Sequence, residues 1–189
     1  MKNPLLSRYR IKQRRKSKPE IMMDFSAESQ HDLNTALAKH IHDFSCCSAL
    51  MYSEIWPEWI SHGQIQVSIR SVPSDMMAEI NDEFRNLKEP TDVLTFPLYE
   101  IDGKFVPEKK PLPLLLGDII LCPEQIAQNA NLHNTEQLSE LALVIFHGML
   151  HLLAWDHDTP ERQERMWRVQ ERFRDLFLNG VQNTERLGS

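Results

Sequence analysis

The sequence predicts an α+β fold of mixed layers, in which a small, mostly parallel or mixed sheet of three or four strands is packed by about five helices. Segments that alternate polar and apolar residues, as strands do, are interleaved with segments of helical apolar spacing. One helix is apolar on most sides, so we expect it to be central and buried. The 189 residues, 41% hydrophobic and 25% charged, suit one globular domain.

The first half of the chain alternates predicted helices and strands. Apolar side chains recur at helical spacing over residues 28–44. Residues 64–70 alternate polar and apolar side chains and predict a half-buried strand. Ser74 is then expected to cap a helix over residues 74–87. Residues 91–97 predict a second strand that ends at a proline.

The second half of the chain predicts one loop, one strand and three helices. They are a polar, proline-rich loop or hairpin over residues 99–113, a buried strand over 114–122, and helices over 123–131, 136–153 and 160–178. Prolines begin the first and last of these helices. Thr135 is expected to cap the middle one, which is the apolar, central helix.

Three histidines near the end of the central helix form the most informative pattern in the chain. His147 and His151 are four residues apart, so they share one face of a helix. His157 follows the predicted helix end, where the chain can fold back towards the other two. Imidazoles buried in an apolar helix need polar partners, which a metal supplies. Three neutral nitrogens without a fourth protein ligand indicate a catalytic zinc site whose remaining position is left to water.

The spacing also matches the zinc-protease pattern His-Glu-x-x-His-x-x-Gly-x-x-His, with two departures. Gly148 replaces the glutamate that takes the proton from zinc-bound water in those enzymes. Glycine cannot act as a base, so either this protein is not a peptidase or its base comes from elsewhere in the chain. Ala154 replaces the glycine of the pattern. If that turn needs a positive φ, alanine costs about 1 kcal/mol or more.

Charge divides the chain into an arm and a body. Residues 1–19 hold eight bases and no acid, whereas the rest of the chain holds 13 bases against 27 acids. We therefore expect a basic, disordered arm over residues 1–23, one metallohydrolase domain over 24–180 and a flexible tail over 181–189. The arm is either a solvated tail, a nucleic-acid contact or a targeting segment. A body of net charge about −14 does not attract nucleic acid as a whole.

The sequence also favours a cytoplasmic protein without a membrane contact, and we expect it to be a monomer. No segment approaches the roughly 18 uninterrupted apolar residues of a membrane span. The basic N-terminus is not followed by the apolar stretch of a secretory signal. The three cysteines show no Cys-x-x-Cys spacing, which fits a reducing compartment.

The segment His-Gly-Met-Leu-His-Leu-Leu-Ala-Trp-Asp-His, residues 147–157, closely resembles the signature of the YbeY family of bacterial rRNA maturation factors. Two further segments resemble the same family: Pro-Thr-Asp-Val-Leu-Thr-Phe-Pro at residues 90–97 and Leu-Gly-Asp-Ile-Ile-Leu-Cys at 116–122. Their order and spacing also fit, so the resemblance covers about residues 60–178. Ala154, where the signature has glycine, is the one departure inside it.

The resemblance implies a single-strand-specific, metal-dependent endoribonuclease that acts in 16S rRNA 3′-end maturation and in ribosome quality control. It implies one Zn²⁺ per chain, held by His147, His151 and His157. Arg85 matches the family's conspicuous basic residue and would be catalytic, binding a phosphate. The competing role of Arg85 is a surface salt bridge with Glu89. The implied partners are rRNA and the small ribosomal subunit, met directly or through another protein, and neither DNA nor a membrane.

The sequence leaves the roles of several residues open. Asp156 is a candidate to accept an N–H from a ligand imidazole, and Asp118 either does the same or is a structural hydrogen bonder. Arg70 is, with Arg85, a candidate for RNA binding. Two other functions remain: a metallopeptidase-like hydrolase, and a ribosome-assembly factor whose metal is chiefly structural. A site of three histidines also accepts nickel, copper or cobalt.

Overall fold

The computed structural model describes residues 20–56, 64–107 and 113–187, with five helices in these ranges. The elements in chain order are β1 (Glu20–Ala27), α1 (Asp32–Ile55), β2 (Gln64–Ser71), α2 (Ser74–Arg85), β3 (Val93–Pro97), β4 (Glu100–Ile101), β5 (Lys104–Phe105), β6 (Leu114–Leu121), α3 (Pro123–His133), α4 (Gln137–His151) and α5 (Pro160–Leu187). The predicted α+β class is confirmed, and the main sheet has four strands where three or four were predicted.

The main sheet is mixed. Its strands lie in the order β1-β2-β6-β3, with β1, β2 and β6 parallel and β3 antiparallel to β6. Strands β3 and β6 approach each other closely at Gly117, whose φ is +147°. A Cβ at that position would lie 2.1 Å from the carbonyl oxygen of Phe96, so only glycine fits there.

Successive side chains of β6 point to opposite faces of the sheet and belong to two different hydrophobic cores. Ile119 belongs to the larger core, which α1, α4 and α5 complete on one face of the sheet. Ile120, the next residue, belongs to a smaller core with Met77 of α2 on the other face. The layers are therefore helices on both faces of one sheet.

Helix α4 is the central helix of the larger core, as its apolar composition predicts. Phe146 and Met149 are fully buried on it. The buried Tyr52 hydroxyl of α1 donates a hydrogen bond of 2.9 Å to the carbonyl oxygen of Met149. This contact joins α1 to the turn of α4 that carries the histidines. None of the helices in residues 20–56, 64–107 and 113–187 has the length and apolar character that crossing a membrane requires.

Strand β1 was missed by the sequence analysis, which placed residues 20–23 in the unstructured arm. The strand pairs in parallel with β2 from Glu20 onwards, and Ile21 is buried. Its sequence, EIMMDFSA, contains a single β-branched residue, and its partner strand lies about 40 residues away. The strand propensity of this segment is therefore low, although the apolar residues Ile21, Met23 and Phe25 alternate with others as they do in a strand. The basic residues 1–19 of the predicted arm lie outside the described residues.

Helices α1 and α5 are longer than predicted because buried residues continue beyond the predicted ends. Met51 and Tyr52 extend the buried face of α1 well past residue 44. Val181 is buried against the larger core, and α5 continues to Leu187 through most of the predicted flexible tail.

Two predicted helix caps were wrong, whereas the segment predicted to be a loop or a hairpin contains a hairpin. Pro73 rather than Ser74 occupies the N-cap of α2, and Glu136 rather than Thr135 that of α4, neither with a capping side-chain bond. Strands β4 and β5 form the hairpin within residues 99–113, around Asp102 and Gly103, which both have positive φ. Residues 108–112 of that segment lie outside the described residues.

Candidate metal centre

A tight turn after α4 brings the third histidine back towards the first two. The N–H of Trp155 bonds to the carbonyl oxygen of Leu150, and that of Ala154 to the carbonyl oxygen of His151. This pair of bonds is the Schellman motif, whose C′ residue is left-handed and usually glycine. Here the C′ residue is Ala154, with φ +55°. The positive φ on which the predicted cost of alanine depends is therefore present.

The imidazoles of His147, His151 and His157 converge. One ring nitrogen of each lies within 4.8 Å of those of the other two. The Nε2 atoms of His147 and His151 are 3.0 Å apart. Two nitrogens bound to one tetrahedral zinc at about 2.0–2.1 Å would be about 3.3 Å apart, so the pair fits such an ion. His157 is exposed and completes the set from the turn.

Gln170 of α5 orients His147. Its Oε1 atom, which can only accept, lies 2.9 Å from Nδ1 of His147, so Nδ1 carries the proton. The Nε2 atom of the neutral ring then keeps its lone pair, which faces the other two histidines. Gln170 is only 6% exposed, and it lies between Met166 and Phe173 on the buried face of α5. This contact is typical of the outer partners that fix the tautomer of a metal-binding histidine.

The surroundings keep two of the three imidazoles neutral. Burial lowers the pKa of His147, an effect that the hydrogen bond to Gln170 partly opposes. Burial, reinforced by His147 and His157, lowers the pKa of His151 to about 4. Both rings are therefore unprotonated at neutral pH. Metal ligands must be unprotonated, so these two nitrogens are available to a cation without first losing a proton.

Gly148 packs tightly against the sheet next to the first ligand. A Cβ there would lie 3.1 Å from Cδ1 of Ile119 and 3.3 Å from Oγ1 of Thr95. The position faces the sheet, so a side chain there would require Ile119 or Thr95 to shift. The sequence therefore lacks the protease base at this position, and residue 148 packs against the sheet.

A cavity of about 490 Å³ opens beside the trio. It is lined by His151 and the following turn, the β4–β5 hairpin, and the end of α2, where Arg85 is exposed. Arg85 also acts electrostatically on His147, whose pKa it helps to lower. Within the described residues no ion pair joins Arg85 to Glu89, which was the competing role for this arginine. Its guanidinium is therefore free to meet an anion in the cavity.

The other candidate residues are not all brought to the trio. Asp156 lines the cavity, and its Oδ1 accepts the backbone N–H of His157 at 2.7 Å rather than an imidazole N–H. Asp118 pairs with Phe96 and follows the alternation of β6 onto the α2 face, away from α4. Arg70 forms an ion pair with Glu28 and contacts Met76, outside the cavity. Neither Asp118 nor Arg70 lines the cavity of the trio.

Gln170 is the residue of this site that the sequence analysis missed. Residues 166, 170, 173 and 177 form the buried stripe of α5, and glutamine is the only polar residue on it. A polar residue in an apolar stripe needs a partner, which is the signal that could have found it.

Fold and site together define a class of protein, an α+β domain that presents three convergent histidines at the end of its central helix as a candidate metal centre. The family model described as endoribonuclease YbeY matches residues 26–177. The chain therefore belongs to the YbeY family.

Individual relatives agree with this assignment. A Nocardia farcinica protein named endoribonuclease YbeY is 36% identical over 126 residues, which are 66% of this chain and 68% of that protein. A Bifidobacterium longum protein of the same name is 40% identical over 118 residues, 61% and 60% of the two chains. The solution structure of TM1509 from Thermotoga maritima aligns with a TM-score of 0.58 at 24% identity, covering 86% of this chain and 93% of that one. That structural likeness supports the fold.

Proposed function

We propose that this protein is a zinc-dependent endoribonuclease that cleaves single-stranded RNA. The observation that carries the proposal is the convergence of His147, His151 and His157 beside a cavity that also holds Arg85. Membership of a family whose model is named for endoribonuclease activity supports RNA as the substrate. We further propose that the RNA is 16S rRNA, processed at its 3′ end and during ribosome quality control in the cytoplasm.

The proposed chemistry divides between the trio and Arg85. His147, His151 and His157 would hold the zinc, which when bound supplies a Lewis acid for a phosphoryl oxygen. Gln170 holds the proton on Nδ1 of His147 and so keeps Nε2 directed at the centre. Arg85 would bind a non-bridging phosphate oxygen and stabilise the negative charge that grows during cleavage.

The charges around the cavity predict weak activity on free RNA. Its lining contains four acids, Glu100, Asp102, Asp156 and Asp158, against the three bases Arg85, Lys104 and Arg162. Binding of an RNA backbone rests on neutralising its phosphates, and this lining does so only locally. A ribosomal subunit or a protein partner that presents the RNA would supply the missing affinity, which is why we propose the small subunit as the partner.

The test is cleavage of a labelled single-stranded RNA by zinc-loaded protein, compared with His151→Ala and Arg85→Ala. We expect His151→Ala to abolish both zinc binding and cleavage. Arg85→Ala should slow cleavage strongly while one zinc per chain is retained. Cleavage at the wild-type rate by His151→Ala would refute the proposal. A fluorescent peptide, tested in parallel, should remain intact, because Gly148 stands where the protease pattern has its glutamate base.

A structural role of the metal is the second candidate, and Gln170 favours it in one respect. Through His147 it joins α4 to α5, so metal binding would also stabilise this helix contact. Under that reading, removal of zinc would lower the melting temperature markedly, and Arg85→Ala would leave function in ribosome assembly unchanged. Arg85 is not a member of the trio, so its variant removes the phosphate-binding charge without removing a ligand and separates the two roles.

A further inference from the structure

Helix α5 presents an arginine whose environment differs from that of its neighbours. Four arginines of this helix are paired with carboxylates: Arg162, Arg168, Arg172 and Arg174. Among the described side chains of α5, Arg165 has no carboxylate partner. Its guanidinium instead lies over the ring of Trp155, 4.3 Å from the ring centroid. It is exposed, so its N–H groups are open to an anion.

Trp155 fixes this arginine at the edge of the metal centre. The indole is partly buried against the larger core, directly after the turn that returns the chain to His157. A guanidinium stacked on an aromatic face loses little freedom and keeps its hydrogen-bonding edge available, which suits it to bind phosphate. Lysine would not reproduce that planar contact.

A smaller cavity under Arg165 adjoins the cavity beside the trio. It measures about 250 Å³ and is lined by Trp155, Arg162 and Arg165. It shares four residues with the larger cavity: Ala154, Trp155, Asp156 and Arg162. Arg85 lines the larger cavity with His151, and Arg165 lines the smaller one. Two arginines without a carboxylate partner in the described residues thus lie in two adjoining cavities, and the larger cavity contains one histidine of the trio.

We infer that Arg165, held by Trp155, is a phosphate-binding residue for single-stranded RNA, which would run from Arg85 past the trio to α5. The inference rests on the proposed function and names a further binding residue for it. Arg162 contributes less, because Asp158 neutralises it at 3.0 Å. Asp156, in the wall that the two cavities share, opposes phosphate binding, so the smaller cavity depends on Arg165 to attract a phosphate.

The test is the salt dependence of binding to a fluorescein-labelled ten-nucleotide oligouridylate, measured by anisotropy with zinc-loaded protein. Arg165→Ala should weaken binding roughly 10-fold at low salt, as the loss of a hydrogen bond to a charged group predicts. It should also reduce the slope of log K against log salt by about 0.7, the contribution of one phosphate contact on a single strand. Arg168→Ala is the matched control, since it removes the same charge three residues away, outside both cavities.

Trp155 is tested through its coupling to Arg165. Trp155→Ala should weaken binding in the wild-type background but have little effect in the Arg165→Ala background, because it acts by holding that arginine. Trp155→Phe keeps an aromatic face and should retain most of the affinity. This second variant shows whether a loss in Trp155→Ala comes from the missing aromatic contact rather than from a folding defect. Trp167→Ala removes an exposed tryptophan of α5 outside the cavities and should change nothing.

The outcomes separate this inference from the proposed function. Equal affinities and salt slopes for Arg165→Ala and Arg168→Ala would overturn it, even if the wild-type protein cleaves RNA. Binding that depends on Arg165 without any cleavage would uphold the inference and refute the nuclease proposal. A wild-type protein that neither binds nor cleaves the oligonucleotide would refute both.

Discussion

Replacement of Ala154 by glycine should stabilise the protein, although most substitutions to glycine destabilise. Ala154 has φ +55° at the C′ position of the turn after α4, where an L-residue costs roughly 1–2 kcal/mol relative to glycine. Glycine also increases the conformational freedom of the unfolded chain, which lowers the free energy of unfolding by roughly 0.4–1 kcal/mol. The difference predicts a net gain of about 0.5–1 kcal/mol. In a domain of this size such a gain raises the melting temperature by about 1–4 °C.

The measurement is equilibrium unfolding in urea, made on metal-free protein so that ligand binding does not contribute. Ala127→Gly, in the interior of α3, is the control. Its free energy of unfolding should fall by about 1 kcal/mol, because alanine there has ordinary helical geometry. Ala154→Gly should also bind zinc at least as tightly, since the relaxed turn still delivers His157. A loss of stability in Ala154→Gly, comparable to that of the control, would refute the assignment of strain to this turn.

Three further predictions concern the same region. Gln170→Leu should weaken zinc binding about 10- to 100-fold, measured by competition with a chelator, while the fold persists because leucine matches the apolar stripe of α5. Gly148→Ala should destabilise by about 1–3 kcal/mol in urea unfolding, since the new methyl group meets Ile119; an unchanged midpoint would contradict the packing. The free energy of unfolding of the metal-free protein should fall by up to about 3 kcal/mol as the pH falls from 6.5 to 4. The pKa of His151 is about 4 in the folded protein and 6.5 in the unfolded chain, so the unfolded chain binds more protons over this range. His151→Ala should lack this fall in stability.

The sequence predicted the parts of the fold whose signals are local. Strands β2 and β6 alternate or are continuously apolar, and α4 is apolar on most of its surface, so their type and approximate position followed from periodicity. Strand β1 is stabilised mainly by pairing with a distant strand, which no window of local sequence reveals. The far ends of α1 and α5 depend in the same way on burial against other helices.

The candidate site also has parts that local sequence predicts and parts that it does not. The spacing of His147, His151 and His157 predicted convergence because two residues share a helical face and one follows the helix end. The hydrogen bond from His147 to Gln170 joins residues 23 positions apart, and only the packing of α5 on α4 creates it. Asp118 was a candidate by motif alone, and strand alternation takes it to the opposite face.

The hydrogen bond between His147 and Gln170 makes the affinity of the centre a property of how two helices associate. Whenever α5 separates from α4, even briefly, the first imidazole is free to rotate and its tautomer is no longer held. A cation would therefore favour the docked arrangement by mass action and slow amide hydrogen exchange along α5. Helix α5 would then report occupancy at a site whose three histidines lie outside it.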